Sequence, residues 1–114
     1  MIEKWLGKRF ESSTGLTPEF ERFAKNFKAY IKKNLPDGAE LIKFSRGHFY
    51  VSGFIKRGEK YVHFMSSDVR FFQDEWYSRM LLRAAKNEKD FSGGQNYSTS
   101  MPRFKEAVDG LLKM

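Results

Sequence analysis

Cationic side chains recur at helical spacing between residues 22 and 33. They are Arg22, Lys25, Lys28, Lys32 and Lys33. Because positions three or four residues apart share one side of an α-helix, this spacing predicts a basic stripe along a single helix. Ammonium and guanidinium groups in such a row can bind the phosphates of a nucleic-acid backbone and release its counterions. The alternative interpretation is a solvated helix face that has no ligand.

A second group of residues mixes aromatic rings with lysines on one predicted sheet face. Tyr50, Phe54 or Tyr61 would stack against nucleobases if that face is exposed, while Lys43 and Lys56 would contact phosphates. The alternative is that a later helix covers this face, which would make its aromatic side chains part of the core.

The two histidines, His48 and His63, fall on the same predicted face without being neighbours. A shared metal ion is therefore not expected, although either imidazole could act alone as a general base. A helix, a strand, the segment Arg46-Gly47-His48 and a further strand follow one another along the chain. This order resembles the HicA-type toxin ribonucleases, and the resemblance implies a catalytic role for His48.

Bulk composition limits the classes of protein to which the chain can belong. The 114 residues predict a single domain (1–114), and 40% hydrophobic with 17% aromatic residues indicate a globular core. The formal net charge of +7 favours an anionic partner. The chain has no cysteine, which excludes disulfides and cysteine-bound metals, and no apolar run long enough to cross a membrane. We expect a cytoplasmic protein that uses no cofactor, metal ion or membrane.

The predicted element order begins with a lead-in over residues 1–16 and a first helix over 18–35. Thr17 and Pro18 are typical of a helix start, and the sequence from Pro36 onward is typical of its end. Apolar residues at helical spacing predict the face that packs on the core: Phe20, Phe23, Ala24, Phe27, Tyr30, Ile31 and Leu35.

Three strands are predicted next, over residues 40–45, 48–56 and 60–66. Tight-turn sequences beginning at Arg46 and Arg57 separate them, which favours an antiparallel meander. The guanidinium groups of these two turn residues would extend the phosphate-binding surface.

The predicted meander pairs Ser45 with His48 and Ile55 with Val62. Because side chains alternate along a strand, this register collects apolar residues on one face, beneath the first helix. They are Ile42, Phe44, Phe49, Val51, Ile55, Val62 and Phe64.

The last third of the chain is predicted to be mainly helical. Apolar spacing after Asp74 favours a second helix, although residues 80–85 would also suit a fourth strand. Residues 90–100 are predicted to be a flexible polar loop, and Ser100 would cap a final helix. The fold class is therefore α+β: an N-terminal amphipathic helix packed on a three-stranded antiparallel meander, followed by one or two C-terminal helices. This layout is similar to that of double-stranded-RNA-binding domains.

Three functions are compatible with these patterns. The favoured hypothesis is a small, basic, non-enzymatic protein that binds nucleic acid through the cationic helix face and the basic and aromatic sheet positions. The second is a protein-binding module, such as a phage- or mobile-element-encoded inhibitor of a nucleic-acid enzyme (anti-CRISPR or anti-restriction type), which would bind an acidic protein surface. The third is a small ribonuclease that uses His48.

Overall fold

A computed structural model of the protein describes residues 18–47, 50–66, 80–91 and 95–113. These residues form an α+β fold in which helices pack on a five-stranded antiparallel sheet. The helical elements are α1 (Pro18–Lys33), a 3₁₀ turn (Met101–Arg103) and α2 (Phe104–Leu112). The strands are β1 (Glu40–Arg46), β2 (Val51–Arg57), β3 (Lys60–Ser66), β4 (Met80–Ala85) and β5 (Tyr97–Thr99).

Helix α1 confirms the predicted first helix over Pro18–Lys33 and its apolar face from Phe23 onward, while the side chain of Phe20 lies outside the described residues. Phe23, Phe27 and Ile31 are at most 1% exposed, because their spacing places them on the side that packs on the sheet. The helix ends at Lys33, and Gly38 then adopts a left-handed φ of 80° in the turn to β1. The predicted cap, Thr17, lies outside the described residues.

The five strands follow one another across the sheet in chain order, and every neighbouring pair is antiparallel. The predicted pairing of Ile55 with Val62 is confirmed. In the short turn between these two strands Gly58 provides a positive φ of 62°, a conformation that glycine adopts without strain.

The pairing of β1 with β2 differs from the prediction. Ser45 pairs with Ser52, so the predicted pairing of Ser45 with His48 is wrong. A β-bulge between Leu41 and Lys43 shifts the register, and a bulge changes which side chains face the core. As a result Leu41, rather than the expected Ile42, packs against the core.

Residues 80–85 form strand β4, so the favoured helical interpretation of this segment is wrong. All of β4 pairs with β3, and its alternate residues Met80 and Leu82 are fully buried. Strand β5 lies within the predicted polar loop and pairs with β4. The meander therefore has five strands where three were expected, which removes the similarity in layout to double-stranded-RNA-binding domains. Residues 74–79 of the expected helix lie outside the described residues.

Both helices lie on one face of the sheet and bury a single main core. Helix α2 confirms the predicted C-terminal helix, and its Phe104 ring meets the Phe64 ring of β3 edge-to-face at 5.9 Å. Tyr30 of α1 donates a 3.0 Å hydrogen bond to the carbonyl oxygen of Met101, which joins the two helical regions. The buried core residues are Phe23, Ala24, Phe27, Ile31, Val51, Ile55, Val62, Phe64, Met80, Leu82, Met101, Phe104, Val108, Leu111 and Leu112. Neither helix in the described part of the chain has the length and apolar character needed to cross a membrane.

Candidate functional site

The sheet face turned away from both helices, called here the second face, holds one candidate site. Side chains of this face alternate with core residues along β1 to β4: Lys43, Ser52, Phe54, Lys56, Tyr61, His63, Met65, Leu81 and Arg83. Phe54 is fully buried outside the main core, because the rings of His63 and Phe91 lie 4.8 and 5.2 Å from its own. Helix α2 therefore does not cover this face, and Phe91, from the connection between β4 and β5, covers part of it. The predicted stacking of a base on Phe54 is wrong, because the ring is already buried.

A buried ion pair fixes the connection that presents Phe91. The side chain of Arg83 is 7% exposed and lies 3.5 Å from the carboxylate of Asp90. The same carboxylate accepts a 2.9 Å hydrogen bond from the backbone N–H of Lys86, which closes the turn after β4. Charges this deeply buried are stable only when they are paired, so the pair favours this one conformation of the turn. Phe91 directly follows Asp90, and the same conformation places its ring over the sheet.

Beside Phe91 the second face contains a hollow of about 410 Å³. Two of its aromatic side chains are exposed to solvent, Tyr50 by 37% and Phe91 by 63%. The described residues that line the hollow are Tyr50, Ser52, His63, Met65, Leu81, Leu82, Arg83, Phe91 and Asn96. Aromatic and apolar walls with a few polar groups are typical of binding sites for flat, partly polar ligands.

His63 lines this hollow and has a lowered pKa. Partial burial disfavours the charged imidazolium and is the main cause, while the positive charge of Arg83 lowers the pKa further and Asp90 acts in the opposite direction. The imidazole is therefore neutral at pH 7, and it presents one N–H donor and one nitrogen acceptor.

We expect the stability of the protein to fall as the pH is lowered from about 7.5 to about 5.5. In the unfolded chain His63 regains its ordinary pKa of 6.5, so the unfolded state binds a proton more readily than the folded state. Urea unfolding of His63→Gln should show a weaker pH dependence, because glutamine does not titrate. Equal pH dependence in the two proteins would contradict the lowered pKa of His63.

On the helix-covered side, lysines line the flank of α1 that faces the edge strand β1. Lys28 Nζ lies 5.9 Å from the centroid of the Phe44 ring, which shows that this flank turns toward β1. Lys25 and Lys32 share the flank by helical spacing, and all three lysines are exposed. Within the described part of the chain, none of the three pairs with a carboxylate.

Lys43 continues this line of cations on the other side of β1. It precedes Phe44 in the strand, so the two side chains point to opposite faces of the sheet. Lys43 is exposed, and its Nζ atom lies 5.3 Å from the centroid of the Phe91 ring. The basic rim is the set Lys25, Lys28, Lys32 and Lys43. It passes from α1, around the outer edge of β1, to the second face.

The predicted cations Arg46 and Arg57 are each bound to a carboxylate. Arg46 forms an ion pair with Glu21 of α1. Arg57 lies 2.9 Å from the Asp109 carboxylate of α2 and donates a 3.3 Å hydrogen bond to the carbonyl oxygen of Asp37. Because these guanidinium groups join elements of the fold, they are less available to phosphates than the lysines of the basic rim.

The remaining predicted site residues lie beside the basic rim or on the second face. Arg22 and Lys33 are exposed on α1, further around the helix from the rim. Lys56 Nζ lies 5.3 Å from the ring of the half-buried Tyr61, and Lys56 shares a hollow of about 420 Å³ with Lys43. The structure therefore brings Lys43 and Lys56 together at one end of the second face.

Phe91, like Arg83 and Asn96, is a residue of this site that the sequence patterns did not reveal. It stands in a predicted polar loop, and its only signal is that a large apolar side chain interrupts that polar segment. His48 lies outside the described residues, so its catalytic role stays a prediction.

Comparison with known proteins does not place the chain in a family. No protein-family model, curated protein or solved structure matches it. Among the residues that the structure describes, no group of three or more histidine and acidic side chains is arranged to hold a metal ion. Function must therefore be inferred from the chemistry of the basic rim and of the hollow.

Proposed function

We propose that this protein binds nucleic acid and catalyses no reaction on it. The basic rim supports this proposal, because its lysines are exposed and, within the described residues, have no carboxylate partner. The formal net charge of +7 adds a long-range attraction for polyanions.

The spacing of the rim suits an extended polyanion. At a rise of about 1.5 Å per residue, Lys25 and Lys32 are separated by about 10 Å along α1, with Lys28 between them. A row of flexible ammonium groups on this scale can neutralise successive phosphates of one strand. Lysine acts as a point charge without the planar fork of arginine, so these contacts would position the backbone without selecting a sequence.

The rim also leads a bound strand toward aromatic side chains. Lys28 lies on the helix side of β1, while Lys43 lies on the second face next to Phe91. A backbone that follows these lysines around the strand edge reaches a surface that includes Tyr50 and Tyr61. Aromatic rings beside a cationic track are the usual elements of single-strand recognition.

Reversing two rim charges, in the double variant Lys25→Glu with Lys28→Glu, is expected to weaken binding to DNA and RNA by about 100-fold at low salt. Two phosphate contacts are lost and two repulsive charges are introduced. The slope of log K against log salt concentration should fall in magnitude by about two. Fluorescence anisotropy with labelled oligonucleotides of several sequences over a salt series measures both effects.

The matched control is Arg103→Glu with Lys105→Glu, which changes the net charge equally. Both residues are exposed, Arg103 immediately before α2 and Lys105 in its first turn, where acidic side chains are compatible with the helix dipole. This control should keep most of the affinity, whereas equal weakening would show that the rim is not the contact surface. Failure of the unsubstituted protein to bind DNA or RNA at low salt would overturn the proposal and favour a protein partner with an acidic surface.

A further inference from the structure

We propose that the hollow beside Phe91 binds one unpaired base of a single-stranded nucleic acid. This inference rests on the proposed function and adds to it the form of nucleic acid that the protein prefers. The basic rim would hold the backbone, and the hollow would hold a base that leaves the strand.

The size and walls of the hollow fit a single flat ring system. Its volume of about 410 Å³ lies at the small end of the range for small-molecule sites, about 300–1,000 Å³. Tyr50 and Phe91 both line it and both expose part of their rings. In a duplex the base faces are already stacked on one another, so only an unpaired base can use these rings.

Phe91 is held in place before any ligand binds. Its ring meets those of Phe54 and His63 at an angle of 78°, yet 63% of its surface is in solvent. The buried pair of Arg83 with Asp90 fixes the backbone immediately before it. Because the ring is already ordered, stacking a base on it costs little conformational entropy.

Polar groups around the hollow match the edges of a base. The hydroxyl of Ser52 and the amide of Asn96 can each donate and accept hydrogen bonds, as can the neutral imidazole of His63. Bases present donors and acceptors on these edges when they are unpaired. Lys43 lies over the Phe91 ring and would contact the phosphate next to the bound base. The site therefore has the chemistry for a base and for its phosphate.

The test compares a mixed-sequence single-stranded octanucleotide with a duplex by fluorescence anisotropy at low salt. Phe91→Leu and Tyr50→Leu remove one ring each while keeping an apolar side chain of moderate size. Each is expected to weaken binding of the single strand by about tenfold and of the duplex by less than about twofold. Tyr97→Leu is the matched control, because Tyr97 is 38% exposed and does not line the hollow.

Heparin, a polyanion without bases, separates failure of this inference from failure of the proposed function. The leucine variants should bind heparin as well as the unsubstituted protein does. If single strand and duplex bind equally and the leucine variants bind the single strand unchanged, the hollow is not a base site, while the proposed function stands. If neither DNA nor RNA binds, both proposals fail.

Discussion

Replacing Gly53 with alanine is expected to lower the free energy of unfolding by about 3 kcal/mol. Gly53 lies in β2 between Phe44 of β1 and Phe64 of β3. The centroids of the two phenylalanine rings are 6.4 Å apart. A Cβ atom at this position would overlap the carbonyl oxygen of Lys43 and lie 2.8 Å from the Phe64 ring. Because one obstacle is backbone, rotation of a side chain cannot relieve the overlap, and β1 must move away from β2.

Urea and thermal unfolding measure this effect, and a fall in Tm of about 10 °C or more is expected. Gly110→Ala is the matched control, because an added Cβ there meets nothing within 4 Å. Gly110 lies within α2, so alanine should increase stability by about 0.5–1 kcal/mol through its higher helix propensity. Similar stability of Gly53→Ala and the unsubstituted protein would mean that the two strands are not packed as described.

Local sequence signals predicted the helices but only part of the sheet. The helical spacing of Phe23, Phe27 and Ile31 is visible within their own segment, so α1 could be predicted without knowledge of its contacts with the sheet. Residues 80–85 contain leucine, methionine and alanine, which are good helix formers, but pairing with β3 makes them a strand. The bulge after Leu41 is likewise set by pairing between strands, so the β1–β2 register could not be predicted from turn residues alone.

The candidate site also has a part set by local sequence and a part set by long-range contacts. Helical spacing, a local signal, was enough to predict that Lys25, Lys28 and Lys32 share one side of α1. The hollow depends on Phe91, whose contact with Phe54 joins residues far apart in the chain. The pairing of Arg57 with Asp109 is also long-range, and it occupies a guanidinium that composition alone would assign to phosphate binding.

A second large effect is expected for Asp90→Asn, which should lower the free energy of unfolding by about 3 kcal/mol. Asparagine keeps the size of the side chain but removes the negative charge next to Arg83, whose side chain is only 7% exposed. The guanidinium then keeps its desolvation cost but loses the attraction of this carboxylate. Chemical unfolding at pH 7 measures the loss.

The exposed pair of Arg103 and Glu106 provides the matched control. Both of its side chains are more than two-thirds exposed (72% and 73%), so Glu106→Gln should change stability by less than about 0.5 kcal/mol. Adding Arg83→Leu to Asp90→Asn should recover much of the lost stability, because the desolvation cost of the buried guanidinium is then removed together with the carboxylate that offset it. A double variant as unstable as the single one would show that the loss has another cause.

Since the pair of Arg83 with Asp90 also positions Phe91, Asp90→Asn should weaken single-strand binding more than duplex binding, which links the stability of this turn to the proposed base site.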